Sequence, residues 1–249
     1  MIEIDCSWHL RCVKIKLEQI LMIGLLASLF TVLPCSQTPT NMVTMQMVFL
    51  RVVPGRNPLT PNLDKNYNER HISGLKVLWE EGKAIAVGPF EDESYAGVVL
   101  LNAKDSDQAK EWLKDDPYVK SGIISLDVLP WFFQNVFVKA PKFDDIEKIW
   151  FGILQRPKNA PQYPATKLNE MQKGHLENIG KMANDGILAA AGPLVTEGDR
   201  RGIFVFFSKD INQIKRAVAV DPLIRGKRLE LKLMRWWTSK GTVVQYKGK

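Results

Sequence analysis

HISGLKVLWEEGKAIAVGPF (residues 71–90) and HLENIGKMANDGILAAAGPL (residues 175–194) are two versions of one pattern. His71, Leu75, Gly82 and Gly88-Pro89 recur as His175, Ile179, Gly186 and Gly192-Pro193, each 104 residues further on. Downstream, Gly97, Asp116-Pro117 and Trp131 recur as Gly202, Asp221-Pro222 and Trp236, at an offset of 105. The single-residue change falls between the Gly-Pro pair and the next glycine, where a turn absorbs it. Matches kept in order over about 60 residues identify a tandem duplication.

Each copy reads as β-α-β-β-α-β from its hydrophobic periodicity and its turn residues. In the first copy the strands are expected near 45–53, 84–87, 97–101 and 123–128, with helices near 64–81 and 106–114. In the second the strands are expected near 149–154, 187–191, 202–207 and 229–234, with helices near 166–185 and 211–219. That order is the ferredoxin-like split βαβ arrangement. The fold class is therefore α+β, with one ferredoxin-like domain at 45–135, a linker at 136–146 and a second domain at 147–240. A four-stranded sheet with both helices on one face leaves the other face bare, and an apolar face must find cover. Two copies in one chain cover each other, so the expected architecture is a pseudo-dimeric α/β barrel packed sheet to sheet within one polypeptide. Further homo-oligomerisation is left open.

The remaining composition is that of a globular protein. Its 249 residues are 45% hydrophobic and 24% charged, which excludes extended disorder, collagen and coiled coil. The net charge of +7 is spread along the chain and reads as a solvated surface. Residues 20–35 (ILMIGLLASLFTVLPC) differ, being sixteen residues without a charge that follow Arg11, Lys14 and Lys16. The run is short for a membrane span and suits the apolar region of an export signal. Glu3, Asp5 and Glu18 offset the three basic residues, so the true start is open. Residues 1–40 are read as a signal peptide or as a membrane or lipid anchor with a polar tail, in contact with the membrane. The protein is expected to be exported: periplasmic, secreted or envelope-anchored. Val32-Leu33-Pro34-Cys35 is similar to a bacterial lipobox, although Pro34 stands where a small residue is usual. All three cysteines, Cys6, Cys12 and Cys35, lie in or before this run. The folded part thus has no disulfide framework, thiol nucleophile or cysteine metal site.

Two histidines belong to the folded part, at equivalent places in the two copies. His175 falls on the apolar stripe Leu168, Met171, Ile179, Met182, and His71 on the stripe Tyr67, Leu75, Leu78. The simpler reading is a core histidine satisfied by one hydrogen bond. Asp116 and Asp221, each before a proline, are the natural partners. They either serve the turn alone, accepting a backbone N–H, or reach an inward imidazole, fix its tautomer and ready it for acid–base work. Gly88, Pro89, Gly192 and Pro193 follow apolar strands and are expected to shape a cavity rim, because no phosphate-binding glycine pattern is present. Trp131 and Trp236 close the two copies as packing aromatics, with a ligand wall as a secondary role. No metal-ligand spacing and no cofactor motif is found, so no metal and no cofactor is expected.

Together these landmarks resemble the YciI-related (YCII) domain family. They read H-I-S-G-L (71–75), E-G-K-A-I-A-V-G-P-F (81–90), D-P-Y-V-K-S-G (116–122) and L-P-W-F (129–132) in the first copy. In the second they read H-L-E-N-I (175–179), D-G-I-L-A-A-A-G-P-L (185–194) and D-P-L-I-R-G (221–226). The resemblance implies a ferredoxin-like dimeric α/β barrel and a site built on His–Asp dyads, here His71 with Asp116 and His175 with Asp221. One relative is a lyase that eliminates HCl from a chlorinated hydroxyquinol, with the histidine as base. The second copy departs from the pattern: Leu223-Ile224 replace Tyr-Val, and one residue is read as lost before Gly226.

The expected function is that of a small-molecule enzyme of lyase or isomerase type, its dyads acting as acid and base on an unidentified substrate. The alternative is a non-catalytic small-ligand-binding or structural module of the cell envelope. Nucleic acid is not an expected partner, because the sheet face that would bind it is needed to close the barrel.

Overall fold

The computed structural model describes residues 41–55, 59–91 and 95–244. The signal or anchor segment read at 1–40, with Cys35, lies outside the described residues. The first copy comprises β1 (Met42–Val52), α1 (Pro61–Glu80), β2 (Ala84–Pro89), β3 (Gly97–Leu101), α2 (Ser106–Leu113), α3 (Pro117–Lys120) and β4 (Ile124–Gln134). The second comprises β5 (Ile146–Gln155), α4 (Ala165–Asn184), β6 (Leu188–Pro193), β7 (Arg200–Phe206), α5 (Ile211–Ala219), α6 (Pro222–Arg225) and β8 (Glu230–Ser239). Each copy builds one antiparallel sheet, in the orders β2-β3-β1-β4 and β6-β7-β5-β8.

Alternation along the strands divides the apolar residues into layers. Met45, Met47 and Phe49 of β1 join Phe151 and Ile153 of β5 in a single core between the two sheets. Val48 and Leu50 face the other way, onto Leu75 and Trp79 of α1. Leu154, Phe204 and Phe206 do the same against Met182 of α4. This is the expected pair of ferredoxin-like units, sheet against sheet.

The last strand of each copy runs well past its sequence-based limit. The period-2 run Leu129, Trp131, Phe133 is buried in the core between the sheets, which holds β4 extended to Gln134. There β4 reaches the edge strand β6, where Trp131 bridges Leu194 and the Val195 N–H donates to the Pro130 carbonyl at 2.8 Å. The mirror contact joins β8 to β2 through Phe90 and Trp236, with the Glu91 N–H on the Arg235 carbonyl at 3.0 Å. The sheet edges thereby meet at two seams, and the barrel closes.

Two further features differ from expectation. Residues 136–145 form more than a tether: Val136 and Phe137 are buried, and Val136 and Val138 exchange backbone bonds with Val244 and Thr242 at 2.9 Å. Phe143 then packs 5.6 Å from Trp79 on the outer face of the first sheet. The residue read as lost before Gly226 is not lost. Gly226 ends α6 as Ser121 ends α3, and Arg228 N–H bonds Leu223 as Ile123 N–H bonds Tyr118. The offset of 105 therefore holds, and Lys227 occupies the place of Gly122. Gly122 has φ 70° there and Lys227 has φ 53°, a left-handed conformation that costs an L residue about 1–2 kcal/mol.

Candidate active site

Asp116 and Asp221 each open a four-residue helix with proline in its first turn, where the missing N–H goes unneeded. Asp116 Oδ1 accepts the N–H groups of Tyr118 and Val119 at 3.0 and 3.3 Å. Its Oδ2 meets Nδ1 of His71. Asp221 repeats this, with Oδ1 on Leu223 and Ile224 at 2.9 and 3.4 Å and Oδ2 2.6 Å from Nδ1 of His175. The two roles considered for these aspartates are thus filled together, one by each oxygen. The backbone cap fixes the carboxylate plane, and the free oxygen orients the imidazole. A carboxylate is an acceptor, so Nδ1 carries the proton and Nε2 is the nitrogen left for chemistry.

The two dyads share this geometry and differ in their surroundings. His71 lines a cavity of about 720 Å³ between α1 and the outer face of the first sheet. Leu50, Leu75, Val87 and Val99 make its walls apolar, while Asn68, Lys76 and Tyr118 bring polar groups to it. Gly88 and Pro89 lie on its rim, and Asp144 and Trp237 complete the lining from beyond the first copy. The His71 side chain is 17% exposed, against 9% for His175, and Asp221 is fully buried.

Around His175 the same space is filled. Phe204 stands where the first copy has Val99, and its ring stacks on the His175 imidazole at 6.2 Å and 16°. Leu223 replaces Tyr118, and Gly174 lets α4 close on α6, where a Cβ would sit 2.7 Å from Pro222 Cγ. His175 and Asp221 line neither the first cavity nor a second one of about 700 Å³ beside β8.

The remaining residues read as pocket-shaping belong to the seams. Trp131 and Trp236 are fully buried in the core between the sheets and are absent from the cavity wall. Each indole N–H donates across to the glycine of the other copy, Trp131 to the Gly192 carbonyl at 3.1 Å and Trp236 to the Gly88 carbonyl at 3.2 Å. The glycines are needed because backbones meet there. A Cβ on Gly88 would collide with the Trp237 carbonyl oxygen, and one on Gly192 with that of Phe132. Gly192 and Pro193 line neither cavity.

Sequence reading did not single out Tyr118. Its ring stands edge-on to His71 at 5.6 Å, and its hydroxyl donates to Asp64 Oδ1 at 2.9 Å. Burial, then the Asp64 bond and the charges of Asp64 and Asp116, push the Tyr118 pKa up to about 12. It therefore stays protonated, as a donor. Because the folded pKa is raised, this contribution to stability is intact below pH ~10, the free tyrosine value, and is lost as the pH rises towards 12. An ultraviolet tyrosinate titration is expected to show one late-ionising group that vanishes in Tyr118→Phe and moves to lower pH in Asp64→Asn. A late step that survives Tyr118→Phe would contradict this assignment. Asn68, Lys76 and Trp237 were also missed. The first two follow from His71, since positions 68, 71, 72, 75 and 76 share one helix face.

Among the described residues no three His, Cys, Asp or Glu side chains gather to hold a metal ion.

Comparison with known proteins agrees with this architecture. The YCII-related domain family matches residues 47–132. An uncharacterized protein of Haemophilus influenzae is 35% identical over 78 residues, covering 28% of this chain and 79% of that protein. Among solved structures, a point variant of the chlorite dismutase from Candidatus Nitrospira defluvii superposes with a TM-score of 0.50 at 9% identity, over 80% of this chain and 92% of its own. A protein provisionally described as a chlorite dismutase gives 0.50 at 11% identity, over 80% and 95%. At such identities the likeness concerns the fold alone: two ferredoxin-like units making one α/β barrel. The match over 47–132, which contains the open cavity's His71 and its partner Asp116, together with the Haemophilus relative, makes this chain a member of the YCII-related domain family.

Proposed function

We propose that the protein is a small-molecule enzyme that removes a proton from carbon, in a lyase or isomerase reaction, with His71 as the general base. The observation that carries this reading is His71 on the wall of an open, largely apolar cavity, oriented from behind by the capped carboxylate of Asp116. In the proposed step Nε2 of His71 takes a proton from a carbon next to a carbonyl. The C–H electron pair moves into the carbonyl system to give an enolate. That enolate either expels a β-leaving group or is reprotonated elsewhere by the same imidazolium. The Nδ1–H bond to Asp116 stabilises the imidazolium, and Asn68 and Lys76 are the donors on the same wall available to the developing oxyanion. The second copy is read as a YCII-like repeat whose dyad serves structure, because Phe204 stands where the first copy has Val99 of the cavity wall and stacks on His175. The uncharged run at 20–35 supports an exported protein.

The test does not depend on which group leaves. A panel of carbonyl compounds with an acidic C–H is incubated with the protein in D2O, and loss of the C–H signal is followed by proton NMR. His71→Gln is expected to slow exchange by about 100-fold, the ordinary contribution of a positioned base. His175→Gln is expected to leave it within about twofold, provided the variant is folded. Exchange that survives His71→Gln, or that needs His175, would refute the assignment.

A further inference from the structure

The second cavity differs from the first in chemical character. It has about 700 Å³ of space, within the range of roughly 300–1,000 Å³ typical of small-ligand pockets. Val218 of α5, Ile224 of α6 and Leu229, Leu231 and Leu233 at β8 give it an apolar floor. Lys215 and Lys227 also line it, and the ammonium group of neither is in an ion pair or hydrogen bond with the other described residues. One carboxylate, Glu230, also lines it, and its Oε1 accepts from Gln155 Nε2 at 2.5 Å.

Lys227 carries a second, independent observation. Among the described residues it is the one non-glycine with positive φ, at the position where the first copy has a glycine. Nothing in the local turn calls for lysine, since Gly122 completes the same backbone bonds without strain. Strained backbone positions of this kind cluster at ligand clamps and other functional sites.

We infer that this groove is a second ligand site, for a monoanionic amphiphile: a carboxylate held between Lys215 and Lys227, with an apolar tail over Ile224, Leu231 and Leu233. The site is independent of proton abstraction at His71, because it shares no lining residue with the first cavity. The two lysines on the lining select the headgroup, and the half-buried leucines reward a chain or ring by covering its apolar area.

Calorimetric titration with decanoate tests this, beside decanol as the uncharged homologue and inorganic phosphate as the anion without a tail. The expected result is saturable binding of decanoate with one site, at least about tenfold tighter than decanol, and no measurable binding of phosphate. Lys215→Gln and Lys227→Gln are each expected to weaken decanoate about tenfold. Lys227→Gly is the sharper variant. It relieves the backbone and should raise the melting temperature by about 2–4 °C while weakening decanoate as much as Lys227→Gln. A lysine without a ligand role would raise the melting temperature and leave decanoate binding unchanged. Unaltered binding in the Lys215→Gln/Lys227→Gln double variant would put decanoate elsewhere, in the cavity beside His71, and would overturn the inference. So would no binding at all.

Discussion

Gly88→Ala and Gly192→Ala are each expected to lower the free energy of unfolding by about 3 kcal/mol, at the upper end of overpacking substitutions. In most overpacked cores the added methyl meets a side chain that can turn away. Here it meets a backbone carbonyl oxygen, that of Trp237 or Phe132, in a strand held by its own ladder. The strands must separate, and with them goes the indole bond from Trp236 to Gly88 or from Trp131 to Gly192. The neighbouring seam bonds, Glu91 N–H to Arg235 and Val195 N–H to Pro130, are strained in turn. Gly74→Ala and Gly180→Ala are the controls. Both glycines lie inside helices with open space around the missing methyl, so these changes should stabilise by about 0.5–1 kcal/mol. Urea unfolding measures all four. A neutral Gly88→Ala would mean that the sheet edges are not joined as described, and two separate transitions would mean that the copies unfold independently.

Asp221→Ala is expected to cost about 3–5 kcal/mol of stability, because it breaks a buried pair and leaves the other member without a partner. Three hydrogen bonds end on that carboxylate: His175 Nδ1 on one oxygen, and the Leu223 and Ile224 amides on the other. Water has little access to replace them, since Asp221 is fully buried and His175 is covered by Phe204. Asp116→Ala removes the same three bonds, but Asp116 is 7% exposed where Asp221 is fully buried, and its partner His71 lines the open cavity, from which water can reach the abandoned imidazole N–H. Its expected cost is nearer 1–2 kcal/mol, that of a lost helix cap. Its larger effect should fall on proton exchange, since His71 loses the group that orients it. Chemical denaturation of the two variants side by side decides the matter. Equal losses would mean that the two sites are equally enclosed, contrary to the contrast drawn between them.

The repeated spacing carried most of what could be read in advance. Equal spacing of His71 and His175, and of Asp116 and Asp221, marked the residues that the fold brings together, and the split βαβ order predicted both sheets. What escaped was set by neighbours distant in sequence. Val99 and Phe204 are equivalent apolar strand residues, and nothing in either strand tells that one leaves a cavity and the other fills it. Trp131 and Trp236 read as packing aromatics, but the partner of each indole N–H is 61 and 148 residues away, on the opposite copy. The Gly-Pro pairs read as shapers of a cavity rim, while each glycine meets a strand of the other sheet and only Gly88-Pro89 also lines a cavity. The apparent deletion before Gly226 came from aligning glycine with glycine. The backbone instead tolerates lysine in a left-handed position, which composition cannot reveal.

His71 faces an open cavity, whereas His175, its counterpart, is enclosed. Carbethoxylation by diethyl pyrocarbonate, with peptide mass spectrometry to separate His71 from His175, measures this directly. His71 is predicted to react at least about tenfold faster, because a buried imidazole reacts only through local opening of the structure. Asp221→Ala should bring His175 towards the rate of His71. Equal rates in the unaltered protein, or a faster His175, would contradict the account.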